Sequence, residues 1–130
     1  MADWLLDASA LLAAAQNEPG GEMVAAVLDR AAISAVNALE VMAVLARRLG
    51  DQEARERFAM LALPVLPFTE AEAAIAQPLL RAHRGVLSLG DAACLGTALA
   101  TARPVLTADR AWTALGLDLD IRLIRPPMQT

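Results

Sequence analysis

Four carboxylates occupy positions that solubility does not explain, each set inside an apolar stretch or closing one. Asp7 ends Trp4-Leu5-Leu6, and Glu40 interrupts the run from Ala38 to Leu45. Asp91 opens the small, apolar run Ala92 to Ala100, and Asp109 follows Pro104-Val105-Leu106-Thr107-Ala108. An ionised carboxylate withdrawn from water is costly unless something pairs with it, and converging carboxylates repel unless a cation sits among them. The chemistry this pattern points to is a divalent metal ion held by oxygen ligands.

Each acid also has a plainer reading. Asp7 can cap the helix that follows, since Asp at that position accepts backbone N–H bonds worth about 1 kcal/mol. Asp91 can be the N3 acid of a capping box formed with Ser88, and Asp109 can sit in the first turn of a helix from Arg110 to Ala114, stabilised by its dipole. Glu40 lies mid-helix with Val36, Ala43 and Val44 one turn away, so its face is apolar; its alternative is a buried ion pair with an Arg such as Arg47 or Arg110. One shared site accounts for all four acids at once.

The length of 130 residues predicts a single domain over 1–130, able to bury roughly two thirds of the surface its unfolded chain exposes. Hydrophobic residues make up 57% of the chain and the mean hydropathy is +0.45. Charges and chain breakers nevertheless interrupt the apolar runs, which argues against a membrane span. Asp3 and Asp7 break up the N-terminus, which lacks the positive region of a signal peptide, so the expectation is a cytoplasmic protein. Cys94 is the one cysteine, excluding both a disulfide framework and a thiolate metal site. All 11 basic residues are Arg. The lack of Lys excludes the P-loop phosphate clamp, Schiff-base chemistry and the Lys that accompanies acidic clusters in phosphotransfer domains. The net charge of −4 and pI of about 4.9 argue against a broad basic surface for nucleic acid.

The elements that must position the acids can be read along the chain. Asp3 to Leu6 predicts a buried strand, Ala8 to Ala15 a helix broken by Glu18-Pro19-Gly20-Gly21, and Glu22 to Arg30 a second helix leading to a strand at Ala32 to Ser34. Ser34 caps a long helix to Arg47 or Arg48, stopped by Gly50. Asp51 to Leu61 is a further helix, before the strand Val65-Leu66. Thr69 and Glu72 have capping-box spacing for a helix that Pro78 kinks or divides. Ser88 caps the helix to Thr101, and Val105-Leu106 and Asp120 to Ile124 are the last strands. Alternation of short apolar strands with helices implies a central, mainly parallel sheet in an α/β/α sandwich. In such sheets ligands gather beyond the carboxyl ends of the strands, where Asp7 and Asp109 both fall.

With these residues in place the chain resembles the PIN-domain ribonucleases, and within them the VapC-type toxins of toxin–antitoxin modules. The resemblance runs from Leu5-Leu6-Asp7-Ala8-Ser9 through Ile33-Ser34-Ala35-Val36-Asn37-Ala38-Leu39-Glu40-Val41 and Leu89-Gly90-Asp91-Ala92-Ala93 to Val105-Leu106-Thr107-Ala108-Asp109. It implies a PIN-like fold and an endoribonuclease dependent on Mg²⁺ or Mn²⁺, with Asp7, Glu40, Asp91 and Asp109 as catalytic and metal-binding quartet. It further implies RNA hydrolysis by a metal-activated water leaving a 5′-phosphate and a 3′-hydroxyl, a cognate antitoxin as partner, and usually a homodimer.

Ser9 and Thr107, two residues from Asp7 and Asp109, are either orienting hydroxyls behind the acids or ordinary helix caps. Asn37, one turn before Glu40, either faces the same cleft or bonds back to Ser34. Arg110 either meets a phosphate or pairs with an acid. His83 reads as a surface residue at a helix end. The basic clusters Arg47-Arg48, Arg55 with Arg57, and Arg81 with Arg84 are sparse and read as solvated faces. The aromatics Trp4, Trp112, Phe58 and Phe68 read as core, so recognition of a structured RNA at one point is favoured over tracking along a strand.

Three functions remain open: a toxin restrained by an antitoxin, a PIN nuclease of RNA processing without one, and a non-catalytic module on the same fold. A haloacid-dehalogenase-like phosphatase would need Asp where Ser9 stands, and a Lys. Met42, Leu45, Leu49, Phe58, Met60 and Leu61, on the helices from Ala35 to Leu61, offer more apolar surface than a small core needs and predict the antitoxin groove.

Overall fold

The computed structural model describes residues 4–125. Five strands, β1 (Trp4–Leu6), β2 (Ala31–Ser34), β3 (Val65–Leu66), β4 (Val105–Thr107) and β5 (Ile121–Leu123), pair in parallel in the order β3-β2-β1-β4-β5. Parallel neighbours cannot be joined by hairpins, and helices supply the crossovers. α1 (Ala8–Ala15) and α2 (Gly21–Ala25) follow β1, α3 (Ala35–Leu49) and α4 (Asp51–Met60) follow β2, and α5 (Glu70–Ala82) and α6 (Leu89–Thr101) follow β3.

The period-two alternation of the strands sorts two cores. Leu6, Ile33 and Leu106 pack with Leu11, Val24, Val41 and Phe58 from α1 to α4. Leu5, Ala32 and Val105 turn to the other face and pack with Leu79 and Leu95 of α5 and α6 and with Trp112. The result is an α/β/α sandwich of the expected class, with an all-parallel sheet.

Helix boundaries follow local chemistry. The Ser34 hydroxyl accepts from Asn37 N–H at the start of α3, and Gly50 with φ of +84° ends it in a backbone conformation that L side chains rarely adopt. Capping boxes open α5 (Thr69 with Glu72) and α6 (Ser88 with Asp91). Pro78 lies inside α5 without ending it, on the exposed side of a helix whose Leu79 is core and whose Ala76 lies against Gly96.

Several expectations change. The second helix ends at Ala25, and Leu28–Arg30 tightens into a 3₁₀ turn with Val27 N–H on Val24 O and Arg30 N–H on Val27 O. The tighter turn drops the chain into β2 at Ala31. Arg110–Ala114 is also 3₁₀, a geometry that sets Trp112 into the second core at 1% exposure. The last strand is shorter than Asp120 to Ile124, and Asp3, expected to begin the first, lies outside the described residues.

The apolar surplus on α3 and α4 is mostly core. Leu45 and Phe58 are buried, and Met42, Leu49 and Leu61 pack partly against them, because the two helices close on each other and on the sheet. Met60 and Leu39 are the exposed ones, at 80% and 64%. A groove of about 220 Å³ remains, lined by Leu39, Met42, Ala43, Ala46, Asp51 and Arg55. Phe68 and Trp4 are only half-buried, with the Arg122 guanidinium 5.3 Å from the centre of the Trp4 ring.

Candidate active site

β1 is the central strand, with β2 beside it on one side and β4 on the other. The chain proceeds outward through β2 and β3 and then returns to β4, so the strand order reverses between β1 and β4. A crevice opens beyond the carboxyl ends at such a switch point. Asp7 follows β1 there, and Thr107 ends β4.

Asp7 is 4% exposed and stands at the N-cap position of α1, with φ −70° and ψ 153°. Its carboxylate makes no capping hydrogen bond. Instead Oδ2 accepts the Ser9 hydroxyl at 2.6 Å and the Thr107 hydroxyl at 2.9 Å. Each hydroxyl also accepts a backbone N–H, Ser9 Oγ from Ala108 and Thr107 Oγ1 from Asp109, both at 3.0 Å. Those two acceptances direct both hydroxyl protons toward Asp7. Burial is the main cause of a carboxyl pKa raised from 3.8 to about 6. The hydrogen bonds from Ser9 and Thr107 pull it down, while the charges of Asp91 and Glu40 add to the rise.

Asn37 fastens the second acid. It is fully buried, at 0% exposure, and every polar atom of its side chain is used. Oδ1 accepts the Ser34 hydroxyl at 2.6 Å, while Nδ2 donates to Glu40 Oε1 at 2.7 Å and to Gly90 O at 3.0 Å. Two acceptors on one side and a hydroxyl on the other define the amide orientation. Asn37 therefore bonds back to Ser34, one of the two readings the sequence left open, and from its buried position also holds Glu40 and Gly90. Glu40 itself is half-buried: its neighbours Val36 and Val44 are half-exposed and Ala43 is exposed, so this apolar face of α3 is only partly covered.

Asp91 and Asp109 keep their capping roles. Asp91 Oδ2 accepts Ser88 N–H at 2.9 Å, and Asp109 Oδ1 accepts Ala111 N–H at 3.0 Å. Both are half-buried. Among the described residues, no group of three or more His, Cys, Asp and Glu side chains is gathered at metal-holding spacing. The charges of Asp91 and Glu40 nevertheless reach Asp7. Cys94, fully buried behind them, has its thiol pushed well above its ordinary pKa by burial and then by the same three charges. That thiol is inert.

The site's donors fit a hard divalent cation in kind, being carboxylate oxygens with two further negative charges acting on a buried Asp7. The sequence offered little signal for Gly90, whose carbonyl ties α6 to Asn37, apart from its place immediately before Asp91. His83 is at the C-cap of α5, the helix end expected, but half-buried there, and Arg110 is exposed beside Asp109.

The PIN-domain family model matches residues 4–116. The chain belongs to the PIN-domain family. Solved structures share the fold of this PIN domain at low identity. A toxin–antitoxin complex from Klebsiella pneumoniae has a TM-score of 0.75 at 19% identity, covering 94% of this chain and 98% of that one. DNA-bound VapBC from Salmonella typhimurium has a TM-score of 0.74 at 16% identity, with 95% and 99% covered. FitAcB from Neisseria gonorrhoeae reaches 23% identity with a TM-score of 0.68, covering 91% and 95%. No curated protein matches this chain in sequence. No helix among the described residues is long and apolar enough to cross a membrane.

Proposed function

We propose that this PIN domain is a VapC-type toxin, an endoribonuclease dependent on Mg²⁺ or Mn²⁺ and restrained by a cognate antitoxin. The observation that carries the catalytic part is Asp7: buried at the switch-point crevice, gripped by two hydroxyls and raised in pKa beside Asp91 and Glu40. Asp7, Glu40 and Asp91 are the proposed ligands, with Asp109 at the rim. Bound there, a divalent cation supplies positive charge against a scissile phosphate and acidifies a nearby water.

The chain's own groups do the positioning. Ser9 and Thr107 hold the Asp7 carboxylate in one orientation, and Asn37 holds Glu40 by Oε1. That bond leaves Glu40 Oε2 as the oxygen that would face the cation. Asp91 serves through Oδ1 while Oδ2 stays in its capping box.

Support for the partner comes from the solved relatives, among them the Klebsiella toxin–antitoxin complex and Salmonella VapBC. The groove between α3 and α4 beside Leu39 and Met42 is the proposed antitoxin seat, and a basic side chain arriving from it would counter the acidic cleft. A homodimer is part of the same reading, as is a cytoplasmic setting. The test is cleavage of RNA by the purified chain with Mg²⁺ or Mn²⁺ and in excess chelator, alongside Asp7→Asn. Metal-dependent products ending in 5′-phosphate, lost in the variant, support the proposal. Undiminished cleavage in chelator or in Asp7→Asn overturns it.

A further inference from the structure

Gly90 is buried at the first turn of α6, where the backbone conformation does not call for glycine. A Cβ built on it would lie 2.5 Å from both Cδ and Oε2 of Glu40, and nearer still to Oε1. Real Cβ atoms essentially never come within 3.0 Å of another group, so any side chain at this position must displace the Glu40 carboxylate. The three nearest atoms all belong to that carboxylate. The nearest obstruction is thus the far end of one side chain. The same Gly90 offers its carbonyl to Asn37 Nδ2, whose other bond goes to Glu40 Oε1.

We propose that Gly90 is a positioning residue, its missing side chain leaving the floor on which Glu40 rests beside Asp91. The inference rests on the nuclease reading for its kinetic consequence, but its geometric consequence stands apart from it. Glu40 comes from α3 and Asp91 from α6, so their separation depends on how closely the two helices meet. Gly90 permits that approach, and the Asn37 bridge holds it. A carboxylate pushed aside by a Cβ loses its bond to Asn37 and its alignment with Asp7 and Asp91. A displacement near 1 Å at a reacting group costs on the order of a hundredfold in rate.

The experiment is a double-mutant cycle of Gly90→Ala with Glu40→Ala. Three readings are taken on each protein: the Asn37 side-chain amide signal by NMR, Mn²⁺ affinity, and kcat and KM on RNA. Gly90→Ala should shift the Asn37 amide signal as its bond to Glu40 is lost, weaken Mn²⁺ binding, and lower kcat by about tenfold or more, with KM within about twofold. In the Glu40→Ala background Gly90→Ala should leave stability and Mn²⁺ affinity unchanged, because the atoms it would strike are gone. Should Gly90→Ala alone fail to fold, the double variant must fold, which assigns the collision to Glu40. An unchanged Asn37 signal in Gly90→Ala, an equal loss in the Glu40→Ala background, or a double variant that does not fold overturns the inference. If the wild type cleaves no RNA, the nuclease reading fails while the Asn37 signal still decides the role of Gly90.

Discussion

Thr107 donates its hydroxyl to Asp7 at 2.9 Å, joining residues 100 apart in the chain. The bond spans β4 and β1 at the strand-order reversal, and it shares Asp7 Oδ2 with Ser9. Burial and neighbouring negative charge favour a proton or a cation on this carboxyl, whereas the two hydroxyls favour its ionised form. Burial prevails.

The first prediction is a pH dependence of metal-free stability. With its pKa raised from 3.8 to about 6, Asp7 contributes stability that is fully present below about pH 4 and is lost as pH rises through about 6. The loss is about 3 kcal/mol by neutral pH. Urea midpoints in chelator should therefore fall between pH 4 and 7 more steeply for wild type than for Asp7→Asn. Mn²⁺ at pH 7 should raise the wild-type midpoint by mass action and leave Asp7→Asn nearly unchanged. Identical pH profiles for the two proteins would contradict the burial assigned to this acid.

Thr107→Val keeps the branched shape suited to a central strand and removes the hydroxyl. Asp7 loses one of the bonds that lower its pKa, and Asp109 N–H loses its acceptor. A cost of about 1–3 kcal/mol should follow. The Asp7 pKa should rise further in an NMR titration, RNA cleavage should drop, and Thr107→Ser should restore both. A fully active Thr107→Val would show that the hydroxyl does not orient Asp7.

Asn37 links Ser34, Glu40 and Gly90, so truncating it leaves buried polar groups without partners. Asn37→Ala should lower stability by about 2–4 kcal/mol. Asn37→Asp places a second carboxylate against Glu40, raising the pKa of the new acid. Its stability should be closer to wild type at low pH and should fall as pH rises. Chemical denaturation at two pH values separates these cases, and a pH-independent penalty would remove the electrostatic account.

Leu39 and Met42 line the α3–α4 groove, whereas Phe58 belongs to the core beneath it. Leu39→Asp and Met42→Asp should weaken capture of a co-expressed antitoxin by tenfold or more, roughly the loss of one well-buried contact. Metal-dependent cleavage should be retained in both. Phe58→Asp should unfold the chain. Undiminished antitoxin binding by the Leu39 and Met42 variants would move the partner to another face.

The sequence by itself determined what depends on near neighbours. Ser34, Thr69 with Glu72, and Ser88 with Asp91 announce helix starts because a cap and its N–H lie within three residues of each other. The apolar strands and their helical crossovers likewise imply the parallel sheet, since no shorter connection joins parallel neighbours. Asp7, Glu40, Asp91 and Asp109 were legible as candidates because acids in apolar runs ask for an explanation. How each carboxylate is held was decided only by the tertiary structure. Strand register brings Thr107 and Ser9 to the same oxygen of Asp7, helix approach sets Glu40 over Gly90, and Asp109 turns its carboxylate to its own 3₁₀ turn. Leu45 and Phe58 looked like surplus surface until α3 and α4 closed over them. Hydrophobic pattern states that a face must be covered, but which neighbour covers it follows from packing among distant segments.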